Sequence, residues 1–116
     1  MSDRRNVARG RVAEDAAAAW YEARGFTVLA RNWRGPDGEI DLICARGRSL
    51  LVVCEVKARR TESMGTPAEA VTTAKQRRIR RQATAFLRTT TVRYDVVRFD
   101  VACRLASSLH VIEGAF

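Results

Sequence analysis

The chain has 116 residues, 47% hydrophobic and 29% charged, which is enough to bury one core without disulfides or structural metals. Its 21 Lys and Arg against 13 Asp and Glu give a net charge of +8, so the partner its field favours is a polyanion. No apolar run reaches spanning length, and the start reads as neither a signal peptide nor a lipidation site, so no membrane is expected and the chain belongs in the cytoplasm.

Taken in chain order, residues 1–5 read as disordered. Residues 6–24 read as a helix, with Val12, Ala16, Trp20 and Ala23 at helical spacing and Gly25 placed to stop it. Residues 26–34 form a strand with Phe26, Val28 and Ala30 on one face, closed by the turn Gly35-Pro36-Asp37-Gly38. Two more strands follow, at 39–45 and 50–58, joined by a short polar loop. Leu50, Leu51, Val52 and Val53 give the second one the apolar run of a strand covered on both faces.

A loop over 59–65 leads to a second helix. Thr66-Pro67-Ala68-Glu69 has the pattern of a capping box. The stronger helical period, Ile79, Ala83, Phe86 and Leu87, comes later and suits a cap at Thr72 or Thr73 instead. Residues 96–105 alternate cleanly: Val97, Phe99, Val101, Cys103 and Leu105 face one way, Arg98, Asp100 and Arg104 the other. A turn at Ser107-Ser108 gives a last strand at 109–112, where His110 sits as an exposed residue, and the tail near Phe116 reads as loose. The order α-β-β-β-α-β-β, without repeat or linker, predicts one α/β domain over residues 1–116, a mixed sheet flanked by two helices.

Cys44, Cys54 and Cys103 lack the paired spacing of zinc sites. Each falls on the apolar parity of a strand: Cys44 with Ile40 and Leu42, Cys54 with Val52 and Val56, Cys103 with Phe99 and Val101. They read as buried filler.

Chemistry concentrates at Asp41 and, fourteen residues on, Glu55-Val56-Lys57. Glu55 and Lys57 are two apart on one strand and share a face with Leu51 and Val53. Ionisable groups rarely interrupt such a row unless paired or metal-bound. The loop at 46–49 brings Asp41 within a residue or two of Glu55, with the register left open. Two carboxylates on neighbouring strands can hold Mg²⁺ through oxygen ligands. The ion would polarise a phosphate and acidify a water that a nearby Lys orients or deprotonates. The chain has 19 Arg but only 2 Lys, so a Lys at this position is notable: a compact amine can shift its pKa where a guanidinium cannot.

Gly38-Glu39-Ile40-Asp41-Leu42-Ile43 and Val53-Cys54-Glu55-Val56-Lys57-Ala58-Arg59 together resemble the YraN family of small bacterial proteins. That family belongs with the PD-(D/E)XK nucleases and resembles archaeal Holliday-junction resolvases. The likeness runs from about Gly10 through Gly25-Phe26, Arg31-Asn32-Trp33-Arg34 and the second helix to Arg98-Phe99-Asp100-Val101. It implies a restriction-endonuclease-like αβββαβ core, with Asp41 and Glu55 on the metal positions and Lys57 on the water position. Glu14 would match the carboxylate supplied by the first helix, with Mg²⁺ or Mn²⁺ as cofactor. Ile40 stands where the motif has Pro, at no chemical cost. Resolvase relatives act as dimers, so a homodimer is the assembly the resemblance suggests.

On a helical wheel Glu14 sits among Gly10, Ala17, Ala18 and Tyr21, a small apolar stripe that suits close packing and a carboxylate aimed at the metal. A surface charge or a pair with Arg11 is the plainer alternative. Lys75-Gln76-Arg77-Arg78-Ile79-Arg80-Arg81 carries five positive charges in seven residues. Arg77, Arg80 and Arg81 group as phosphate contacts, and Lys75 and Gln76 lean inward as site-edge residues. Arg31 and Arg34 extend the basic track, while Trp33 fits either a stacking platform or the core. The reading that follows is a divalent-metal nuclease acting on DNA rather than RNA, on branched or structured DNA if the resolvase likeness extends so far. A nucleic-acid-binding module without turnover is the alternative.

Overall fold

Ala13, Ala17, Ala18 and Tyr21 lie along one side of a helix, α1 (Asp3–Glu22), and that side is buried. The computed structural model describes residues 3–59 and 71–116, with residues 3–9 described by backbone alone. The buried stripe is the one that surrounds Glu14 on the helical wheel. The stripe read from Val12 is displaced, and Val12 itself is 44% exposed. Small side chains let α1 approach the sheet closely, which favours the alanines over the valine. The helix takes in residues 3–5, which the sequence assigned to a disordered start.

Gly25, at φ +85°, ends α1 as expected. The Phe26 N–H donates to the Tyr21 carbonyl and the Gly25 N–H to that of Glu22. This is the double closure that a left-handed residue just past a helix allows. Tyr21 and Phe26 meet edge to face across it at 5.3 Å.

The sheet has five strands in the order β1 (Thr27–Gly35), β2 (Gly38–Arg46), β3 (Leu50–Arg59), β4 (Val96–Leu105) and β5 (Ser108–Ile112). Only β3 and β4 run parallel, because α2 (Thr73–Leu87) crosses between them; the other pairs are antiparallel. This is the mixed α/β sheet with two helices, in the αβββαβ order, that the sequence predicts. Thr72 caps α2, its hydroxyl accepting the Lys75 N–H at 3.2 Å. The capping box at 66–69 lies outside the described residues.

The sheet separates two packed layers. Leu51 and Val53 of β3 join Ile79, Ala83 and Phe86 of α2, while Val52 and Cys54 join Ala17, Ala18 and Tyr21 of α1. Trp33 belongs to the α2 layer, edge to face with Phe86 at 5.5 Å, so it is core rather than platform. The tail is packed too: Ala115 N–H donates to the Phe99 carbonyl, and Phe116 stacks on the Phe99 ring. All three cysteines are buried and free. Burial pushes the Cys44 thiol up to about 12, which fits filler and not redox chemistry. Among the described residues no helix is long and apolar enough to cross a membrane.

The first hairpin breaks strict alternation twice. A register shift between Val28 and Ala30 sends Val28 to the α1 layer and Ala30 to the α2 layer, so the expected face of Phe26, Val28 and Ala30 is split. In β2, Ile40 packs with α2 whereas Leu42 and Cys44 pack with α1, so the expected trio of Cys44, Ile40 and Leu42 is split as well. A bulge or a locally twisted residue moves every later side chain to the other face.

Candidate active site

The bend in β2 between Ile40 and Leu42 is Asp41. Pairing of β2 with β3 stops at Leu42–Cys54, and beyond it the Val56 N–H donates to Asp41 Oδ2 at 2.9 Å. Asp41 is thereby fixed against β3 one residue from Glu55. Burial, and then the charge of Glu55, push the Asp41 carboxyl from its ordinary 3.8 up to about 7, with Glu14 adding to the repulsion and the Val56 N–H opposing it.

Glu55 continues the row of Leu51 and Val53 into the α2 side of the sheet, with its side chain 10% exposed. Two ammonium groups reach its Oε1: Lys57 Nζ at 3.5 Å from the same strand, and Lys75 Nζ at 3.8 Å from the first turn of α2. The neighbouring Lys57, then burial, push the Lys75 amine below its ordinary value against the pull of Glu55. The inward lean read for Lys75 thus takes it into contact with Glu55.

Glu14 turns to β1. Its Oε1 accepts from Asn32 Nδ2 at 3.0 Å and lies 3.8 Å from the Arg31 guanidinium. Among the described residues no three His, Cys, Asp or Glu side chains converge as a ready cage for an ion. Asp41 and Glu55 therefore form the carboxylate pair, and Glu14 stands within electrostatic reach of Asp41.

The basic residues are divided among several tasks. Arg31 is tied to Asp15 at 2.5 Å, and Arg34 to Glu39 at the same distance. Arg81 Nε pairs with Asp37 at 3.2 Å, and Gln76 Nε2 donates to the Val71 carbonyl. The Arg80 guanidinium lies over the rings of Phe99, at 4.6 Å, and Phe116, at 5.7 Å. Arg77 is exposed and makes no ion pair among the described residues.

Sequence reasoning missed polar residues that the fold depends on. Asp100, placed with Arg98 and Arg104 on the polar face of its strand and given no role, is wholly buried. It accepts from the Tyr21 hydroxyl at 2.6 Å, from Arg98 Nε and Nη2 at 2.9 and 3.0 Å, and from the Gly114 N–H at 2.9 Å. Gln82, also buried, clamps the β1–β2 turn to α2, donating to the Gly38 carbonyl and accepting the Asp37 N–H. Asn32, an amide inside a strand pattern, was the one legible hint, since Asn is depleted in strands.

A family model described as "Uncharacterised protein family UPF0102" matches residues 13–103. A UPF0102 protein of Rhodococcus opacus is 50% identical over 96 residues, covering 83% of this chain and 80% of the relative. One from Bifidobacterium longum is 42% identical over 113 residues, covering 92% and 91%. Another, from Desulfosudis oleivorans, is 42% identical over 109 residues, covering 92% and 88%.

Proposed function

The chain belongs to the UPF0102 family of YraN-like proteins, and we propose that it is a divalent-metal-dependent nuclease hydrolysing phosphodiester bonds in DNA. One observation carries the reading: Asp41 and Glu55 are held side by side at a partly buried position, and two ammonium groups from different elements reach Glu55. Like charges brought together out of water destabilise a fold, and a structural role would be served better by apolar side chains. A site that takes up a cation gives the pair a reason.

The donors fit Mg²⁺ or Mn²⁺. They are hard carboxylate oxygens, and these ions are held through one or two carboxylates with water completing the shell. Asp41 and Glu55 would hold the ion. When bound, it supplies the charge that polarises a phosphate and acidifies a water. Lys57, on the same strand face as Glu55, would orient that water and, once its ammonium has released a proton to solvent, would take the water's proton as the neutral amine. Lys75 adds positive charge where a phosphate would carry its excess negative charge. Arg34, Arg77 and Arg81 are exposed on the β1–β2 hairpin and α2, and serve as sequence-independent phosphate contacts.

The test is incubation of the purified protein with duplex, single-stranded and four-way-junction DNA, and with matching RNA, with and without Mg²⁺ or Mn²⁺. Metal-dependent cleavage that vanishes in Asp41→Asn supports the proposal. Salt-dependent binding without cleavage of any substrate would leave a binding module on this fold.

A further inference from the structure

We propose that Asn32 is a positioning residue of the carboxylate site: its backbone sets the bend at which Asp41 sits, and its side-chain amide holds Glu14 toward Asp41. The inference rests on the reading of Asp41 and Glu55 as metal ligands, with Glu14 as the third carboxylate of that site.

Asn32 has φ +52° in the middle of β1, in the left-handed region that non-glycine residues seldom adopt and that Asn tolerates better than most. The register pairs Arg31 with Leu42 and Trp33 with Ile40, so Asn32 stands opposite Asp41. Both strands change face there. Ile40 and Leu42, two apart, pack on opposite sides of the sheet, whereas Ala30 and Trp33, three apart, pack on the same side. A regular strand pair would do neither. Strain of this kind persists where the surrounding structure imposes it, and it clusters at functional sites.

The side chain supplies the second half. Asn32 Nδ2 donates to Glu14 Oε1 at 3.0 Å, bridging β1 to α1. The competing Arg31 guanidinium is farther from Glu14, at 3.8 Å, and is held by Asp15 at 2.5 Å. A neutral donor orients a carboxylate without cancelling the charge that a cation site uses. Partners of this type, one step removed from an ion, characteristically govern its affinity.

Asn32→Gly tests the two roles apart, because glycine keeps the left-handed turn and removes the amide. In metal-free protein the Glu14 carboxyl ¹³C signal should shift in Asn32→Gly, and the Asn32 side-chain amide signals should shift in Glu14→Ala. By calorimetry Asn32→Gly should weaken Mn²⁺ binding by roughly tenfold or more. That loss should match Glu14→Gln, and the double variant should be no worse than either single one. Its melting temperature should stay near wild type, while Asn32→Ala, which strains the turn, should melt lower. An Asn that matters only to the fold would give the opposite pattern: a lowered melting temperature in Asn32→Gly with wild-type Mn²⁺ affinity. That result, or an unmoved Glu14 signal, overturns the proposal. If wild type binds no Mn²⁺, the metal reading fails on its own, and the Glu14 and Asn32 signals still decide whether Asn32 holds Glu14.

Discussion

Asp41 Oδ2 accepts the Val56 N–H at 2.9 Å, so a carboxylate stands where the next backbone rung between β2 and β3 would be. The consequence is local and chemical together. The ladder ends, β2 bends away, and the bend delivers one carboxylate to the flank of another, Glu55, with Lys57 and Lys75 beside it.

Burial of Asp41, and then that closeness, make stability depend on pH in the metal-free protein. Asp41 titrates near 7 when folded against an ordinary 3.8, so between these values the folded chain binds a proton that the unfolded chain releases. Stability contributed by the protonated carboxyl is therefore present at low pH and is lost as pH rises through about 7. Denaturant midpoints should fall between about pH 5 and pH 8. Asp41→Asn should flatten that fall and be the more stable protein at pH 8. Mn²⁺ should restore the wild type at pH 8 and do little for Asp41→Asn. Equal midpoints for wild type at both pH values would remove the argument.

Asp100 should be the most costly polar residue to lose. Asp100→Ala takes the acceptor from the Tyr21 hydroxyl and the Gly114 N–H together, and leaves the Arg98 guanidinium only the more exposed Glu113, at 3.4 Å. Breaking a buried ion pair from one side costs about 3–5 kcal/mol, a large part of the roughly 5–15 kcal/mol that holds a domain together. Tyr21→Phe removes one donor and should cost about 1–3 kcal/mol. Urea unfolding of both variants checks the order, and a Tyr21→Phe loss as large as that of Asp100→Ala would contradict it.

The arginines of α2 should separate into two groups. Arg80 lies over Phe99 and Phe116, so Arg80→Ala should lower stability by about 0.5–1 kcal/mol with little change in the salt dependence of DNA binding. Arg77→Ala and Arg81→Ala should weaken binding to all sequences alike. Either substitution should flatten the slope of log K against log salt by about 0.9 on duplex DNA, the share of one neutralised phosphate. A slope changed by Arg80→Ala alone would return that residue to the phosphate track.

The order of elements was legible because each rests on local signals: the alanine-lined helix, the Gly25 stop, the alternation of β4. The geometry at Asp41 was not, because it depends on which residue of β1 lies opposite, and a left-handed Asn32 resets the alternation that a strand pattern otherwise carries forward. The burial of Asp100 was illegible for a related reason. Alternation gives parity, not exposure, and here both faces of the sheet carry a helix, so the polar parity of β4 faces α1. The inward lean of Lys75 could be read from helical phase, but not its approach to Glu55, which depends on how α2 crosses the sheet. Arg80 looked like its neighbours because the tail that brings Phe116 beneath it gives no periodic signal.

The sharpest prediction separates Glu55 from Lys57, which share a strand face but, under the proposed function, not a task. Glu55→Gln replaces a charged oxygen donor by an amide, so Mn²⁺ binding and cleavage should fall together. Lys57→Ala removes a cation 3.5 Å from Glu55, so Mn²⁺ affinity should hold or rise, with Lys75 at 3.8 Å limiting the gain. Its cleavage rate should still drop by roughly 10²–10⁴-fold, the usual loss for a group that moves a proton. Lys57→Arg keeps the charge but cannot give up a proton near neutral pH, so it should bind DNA as wild type does and remain as slow as Lys57→Ala. Calorimetry with Mn²⁺ and single-turnover cleavage on the same preparations read both quantities. Wild-type turnover in Lys57→Arg would reduce Lys57 to a charge, and the water would then need another proton acceptor.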